Sequence, residues 1–225
     1  MTLPVAPMAL PAAADDNGGQ FTTHHVVDTH VRGKALSVVY ANDPVSVESS
    51  IQTMEQFLAE DKYQVIGFDL EYTIGRTGHD QKVAVAQLCV RHDVLVYHYH
   101  IATRPCERFS RFINSSDYSF AMVDSTNDLK ALKVSGLKCP NLVNIQHHYK
   151  VWGSNNKLNS LIDLASVIID PYYMKMKDES KKDKIAWHSV WHERLDEQHV
   201  KYAAKDAYTS YEMYRRIVDM RKCLV

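Results

Sequence analysis

Two acids spaced two residues apart carry the first chemical signal in this sequence. They lie in Phe68-Asp69-Leu70-Glu71-Tyr72-Thr73, at the end of the apolar run that begins at Val65. That run predicts a strand, and in a strand residues two apart share a face. Asp69 and Glu71 then point one way while Phe68 and Leu70 face the other. Neighbouring carboxylates repel unless a cation sits between them. Hard divalent ions such as Mg²⁺ take all-oxygen ligands, so the pair suits a metal platform. Taken alone, an Asp-x-Glu of this kind is more often a strand edge kept soluble by charge.

Two further features join it. Tyr202 and Asp206 stand at i and i+4 in a helical segment, Glu197 to Tyr214, and therefore on one face. Val200, Ala203, Ala204, Ala207, Tyr211 and Tyr214 would pack that helix on a sheet, and a phenol beside a carboxylate could hold a water at a metal. Asp128 falls near the start of a helix that follows a short strand, where backbone N–H groups and the dipole favour negative charge. A half-buried tyrosine with a neighbouring acceptor, or a simple helix-start acid, would each explain one of these features separately.

The elements that must position these groups read as follows. Residues 22–31 and 35–40 alternate as two strands about Arg32-Gly33-Lys34. Asp43 caps a helix with Pro44 at its first position, carrying Val47, Ile51, Met54, Phe57 and Leu58 at helical spacing up to Glu60. Strands follow at 65–71, 83–90 and 94–100, a helix at 104–113, a strand at 120–123 and a helix through Leu132. Further helices are expected at 158–169, 186–194 and 196 to about 220. Strands lead and helices close the chain, which predicts an α/β domain with a central mixed sheet flanked by helices.

Composition narrows the class. The chain has 225 residues, 45% hydrophobic and 24% charged, with net charge −1. A chain this long can bury roughly 70% of its unfolded surface, so wholesale disorder is excluded. No stretch approaches the ~18 apolar residues of a membrane span. Near neutrality argues against a protein that coats nucleic acid, though not against an enzyme gripping a few phosphates at one cleft. Four scattered cysteines without a CxxC pair read as reduced thiols, and no Lys or Arg precedes Arg32, so a signal peptide is not expected. Residues 1–20 are read as a disordered tail, 21–225 as the folded domain, and the location as nucleus or cytoplasm.

In combination and in this order, the three acidic features resemble those of the DEDDy 3′–5′ exonucleases on the ribonuclease H-like fold. The likeness is greatest to the Werner-type exonuclease domains found as small plant proteins. The first motif of that family, Phe-Asp-x-Glu, falls on Phe68 to Glu71; the second, Asp-x-x-x-Leu, on Asp128 to Leu132; the third, Tyr-x-x-x-Asp, within residues 198–208. Gln87-Leu88-Cys89 and the Trp187 to Trp191 stretch are similar as well. Lys201 stands where a histidine class would carry its His, so the resemblance implies the tyrosine class.

It further implies a catalytic set of Asp69, Glu71, Asp128, Tyr202 and Asp206 around two Mg²⁺ or Mn²⁺ ions. Asp69, Glu71 and Asp206 would hold the first ion, Asp69 and Asp128 would support the second, and Tyr202 would orient the attacking water with Glu71 on its other side. Leu70 and Thr73 would touch the substrate. The implied partner is a nucleic acid with a free 3′ end, with a leaning to DNA and RNA left open, and no membrane. The alternative is a catalytically weakened binding or scaffold protein on the same fold. Three departures bear on it: Tyr72 stands where Trp is frequent, Asn144 where relatives tend to carry Asp, and Met122 and Asp124 replace two glycines, so they would narrow the site or add a carboxylate to it.

Twelve histidines include His188 and His192 at i and i+4 and His98 and His100 on one expected strand face. Without Cys pairs or His-Glu-x-x-His they read as packing or surface residues rather than zinc ligands. Lys175 to Lys184 reads as a solvated loop. Arg76, His79 and Lys82 are better placed after the first motif to meet a phosphate. Trp187 and Trp191 read as helix anchors.

Overall fold

The alternating residues at 22–41 pair as a hairpin of β1 (Thr22–Asp28) and β2 (Ala35–Ala41), which forms one edge of a seven-stranded sheet. The computed structural model describes residues 19–29, 34–73, 81–148, 160–174 and 190–223. The other strands are β3 (Val65–Tyr72), β4 (Val83–Val90), β5 (Asp93–Tyr97), β6 (Ser119–Met122) and β7 (Leu142–Asn144), in the order β1-β2-β5-β4-β3-β6-β7. Strand β4 is antiparallel to both of its neighbours, β3 and β5. Strand β2 runs parallel to β5, and β3, β6 and β7 run parallel to one another. The sheet is mixed, as expected.

Helices cover both faces. On one side lie α1 (Pro44–Glu60), α2 (Glu107–Ile113) and α3 (Thr126–Val134), over a core containing Phe68, Leu70, Leu88, Phe109 and Phe120. On the other, α5 (Leu161–Ile168) and α6 (Glu197–Lys222) pack over Val65, Val85, Cys89 and Val96, next to the short α4 (Ile145–His148). The caps are local and legible. Asp43 accepts hydrogen bonds from the Val45 and Ser46 nitrogens, each at 3.1 Å, with Pro44 at the first helical position. Asp196 accepts from the His199 nitrogen at 2.9 Å and starts α6, whose 26 residues span about 39 Å.

Several expectations are corrected. Strand β5 ends at Tyr97, so His98 and His100 do not share a strand face; His98 is buried, with its Nδ1 2.8 Å from the Tyr40 hydroxyl. Residues 190–196 are turn and extended chain rather than helix, because Asp196 must be extended to cap α6. Trp191 still anchors, 1% exposed, with its ring 5.3 Å from that of His199 and 6.1 Å from that of Tyr202. Strand β7, three residues long, is too short for a pattern to show and was not expected.

The tail up to residue 18, Arg32 and Gly33, Arg76 and His79, Lys175 to Lys184, and Trp187 and His188 lie outside the described residues. No helix among the described residues is long and apolar enough to cross a membrane.

Candidate active site

Strand alternation sends Val65 into the α6-side core and Ile66, Phe68 and Leu70 into the α1-side core. Asp69 and Glu71 therefore face α6, together with Gly67. That glycine sets how close the helix comes. A Cβ at Gly67 would stand 2.6 Å from the Tyr211 nitrogen and 2.7 Å from its Cβ, and would also collide with the Ala207 carbonyl oxygen. A strand glycine is the residue that lets another backbone approach this closely. Asp206, one residue before Ala207, is thereby held against the Asp69 end of β3.

Asp128 arrives from the first turn of α3 and is 4% exposed. The four acids Asp69, Glu71, Asp128 and Asp206 feel one another's charge. Burial first, then the charges of Asp206, Glu71 and Asp128, hold the Asp69 carboxyl well above the usual carboxylate range. Burial and the charges of Asp206 and Asp128 do the same to Glu71. Burial pushes Asp128 up to about 6 and Asp206 up to about 7. Among the described residues none of the four forms an ion pair, and Lys205 gives Asp206 only a weak favourable charge.

Two phenols edge the cluster. The Tyr202 hydroxyl donates to Asp206, and the Asp206 charge, then burial, then Glu71 and Asp69, keep that phenol protonated. The Tyr72 hydroxyl donates to an Asp128 carboxylate oxygen, while burial and the Asp128 charge keep it neutral too. The structure thus brings together all five expected catalytic residues. Tyr72 joins them as a contact that its type alone did not reveal, and Gly67 as the residue that admits α6.

The expected substrate residues fare differently. The Leu70 side chain is buried in the α1-side core, so only its backbone faces the site, and its N–H donates to the Asp69 carboxylate. The Thr73 hydroxyl accepts from the Lys82 nitrogen at 3.2 Å, turned toward the start of β4. Met122 is fully buried in the α1-side core and does not narrow the site. Asp124, exposed and with φ +55°, keeps a left-handed turn that glycine would adopt freely, and its charge raises Asp128. Asn144 caps α4, its Oδ1 accepting from the Gln146 nitrogen at 2.9 Å.

The donors suit hard divalent ions: all are carboxylate oxygens, and burial holds all four carboxyls above their usual range, with the charges of neighbouring acids adding to it at Asp69, Glu71 and Asp128. Among the described residues no three His, Cys, Asp or Glu side chains already converge closely enough to clasp an ion.

A family model described as 3′–5′ exonuclease matches residues 44–221. The fold is similar to the Nibbler EXO domain of Aedes aegypti, with TM-score 0.56 and 16% identity over 82% of this chain and 88% of that one. It is also similar to the RRP6 catalytic core of Trypanosoma brucei, with TM-score 0.58 and 12% identity over 92% and 63%. A third similar structure is Trypanosoma brucei RNase D in complex with RNA U12, with TM-score 0.56 and 15% identity over 78% and 66%. The chain thus spans most of the first of these and under two thirds of the other two. No curated protein matches. At these identities the likeness is one of fold, the ribonuclease H-like fold of 3′–5′ exonucleases.

Proposed function

The chain belongs to the 3′–5′ exonuclease family of nucleic-acid hydrolases, and on that premise we propose that it removes nucleoside monophosphates from 3′ ends with two divalent ions, Mg²⁺ or Mn²⁺. The observation that carries this reading is the cluster of Asp69, Glu71, Asp128 and Asp206, drawn from β3, α3 and α6, which forms no ion pair among the described residues. Asp69, Glu71 and Asp206 would hold one ion, and Asp69 with Asp128 the other. Bound there, the pair would activate a water and neutralise charge on the phosphate and the leaving oxygen. The Leu70 N–H steadies the Asp69 carboxylate. Tyr202, kept neutral, orients the attacking water, with Glu71 on its other side.

Within the family we read the chain as the tyrosine class and Werner-like. Tyr202 lies four residues before Asp206, and Lys201 occupies the position of the histidine alternative. The substrate is a nucleic acid with a free 3′ end. The leaning to DNA came from resemblance alone, and a structural neighbour solved with RNA supports RNA as the first substrate to test. The free cysteines support a reducing compartment, nucleus or cytoplasm. The weakened-scaffold alternative loses one of its motives, since Met122 packs in the core.

The test is a gel assay on 5′-labelled RNA, single-stranded DNA and recessed duplex DNA, with Mg²⁺, Mn²⁺ or EDTA. The expected result is a metal-dependent ladder that disappears in Asp69→Ala, with the variant still folded by circular dichroism. Undiminished hydrolysis by Asp69→Ala would overturn the reading.

A further inference from the structure

Strand β4 is buried along its whole length, and its sequence is Val-Ala-Val-Ala-Gln-Leu-Cys-Val. Its one polar side chain, Gln87, is 0% exposed. Among the described residues neither Nε2 nor Oε1 of Gln87 has a hydrogen-bond partner. A buried amide without partners destabilises the fold, and an apolar residue of similar shape would avoid that cost.

Its position suggests what the amide is kept for. In the β3–β4 register Gln87 lies directly opposite Asp69. Directly paired residues in an antiparallel sheet share a face with their Cβ atoms about 4.5–5.5 Å apart, within easy reach of a glutamine side chain. On the same face Val85 and Cys89 flank it along the strand, and Val96 stands across from it on β5. These are apolar and fully buried. The carboxylate across the ladder is the acid that the proposed chemistry assigns to both ions, and a carboxylate has about four lone-pair sites, enough for ions and an amide together.

We propose that Gln87 is a positioning residue for Asp69, its Nε2–H donating to the Asp69 carboxylate when the acid cluster holds divalent ions. This rests on the metal-dependent reading of the site. The bond fixes the rotamer of the shared acid, as the hydrogen-bonding partners of metal ligands generally do. Asp69 accepts from the Leu70 N–H, and the Gln87 amide has no partner among the described residues.

The distinguishing experiment sets metal-free stability against metal affinity. Gln87→Met and Gln87→Leu, both apolar and near in volume, are compared with wild type as the full chain. The measurements are thermal melting in EDTA, Mn²⁺ binding by calorimetry, the Mn²⁺-induced rise in melting temperature, and kcat and KM on RNA. The expected result is a metal-free melting temperature equal to or above wild type. With it come Mn²⁺ affinity and kcat lower by about tenfold or more and an unchanged KM for nucleic acid. Wild-type Mn²⁺ affinity and kcat in either folded variant would overturn the inference and leave Gln87 a packing residue. Failure of the wild-type chain itself to bind Mn²⁺ would overturn the metal-dependent reading, and this inference with it.

Discussion

Asp206 and Glu212 are six residues apart on α6, and their carboxylates meet opposite surroundings. Burial opposes the charge of both. At Glu212 the hydrogen bonds and charges of Arg215 and Arg216 more than offset it, and the carboxyl is held below its usual range. Arg215 reaches it through Nε and Nη2, each at 2.9 Å, and Arg216 through Nε at 2.7 Å. Arg216 also donates to the Ile168 and Ile169 carbonyls at 3.2 and 2.9 Å, tying the end of α5 to α6. At Asp206 no guanidinium arrives among the described residues; Tyr202 donates to it, Lys205 adds a favourable charge, and its own charge is felt by Asp69 and Glu71. Around Glu212 the helix has its charge balanced from within the chain. Around Asp206 no such arginine balances the acids among the described residues, a charge pattern in keeping with the proposed ion site.

The largest expected effect comes from removing the Asp206 charge. Asp206→Asn should lower hydrolysis on the order of a thousandfold. In EDTA at pH 8 it should melt above wild type. The Asp206 pKa rises from an ordinary 3.8 to about 7 on folding, so the native state holds that proton more tightly. The group's contribution to stability is full below about pH 4 and lost as pH climbs toward 7. The melting gap between variant and wild type should therefore shrink from pH 8 to pH 5. A gap that is constant across this range would mean that Asp206 is as well compensated as Glu212.

The next tests the contact that lies between the two acids. Gly67→Ala places a methyl against Ala207 and Tyr211 and should cost about 3 kcal/mol in a denaturant melt. It should also lower kcat more than tenfold, because a shift of about 1 Å at reacting groups is felt that strongly. Stability lost without kcat would show that Asp206 reaches its place independently of this contact.

Glu212→Gln should have the smallest effect and the reverse pattern. Loss of about 1–2 kcal/mol is expected at neutral pH, discounted for the part-exposed arginines, with kcat unchanged. Because the Glu212 carboxyl is held low, its contribution is present above its ordinary 4.5 and fades as pH falls further. A fall in kcat would join the two acids that the comparison separates.

Much of the site follows from local geometry alone. Period two in β3 puts Asp69 and Glu71 on one face, and the helical repeat in α6 does the same for Tyr202 and Asp206. Asp43, Pro44 and the apolar positions of α1 are read the same way. Less legible were the ends of elements. Strand β5 stops before His98 because the chain turns there, and 190–196 stays extended because α6 needs its cap.

By itself the sequence determined most of the strands and helices with their inward faces, and it put Asp69 with Glu71 and Tyr202 with Asp206 on shared faces, because each depends on backbone repeats spanning a few residues. Only the tertiary structure decided that α6 presses on β3 at Gly67, that Tyr72 turns its hydroxyl to Asp128, and that Gln87 lies opposite Asp69 with its amide unmet. Those facts join elements far apart in the chain. They depend on sheet order and side-chain volume, which no local period encodes.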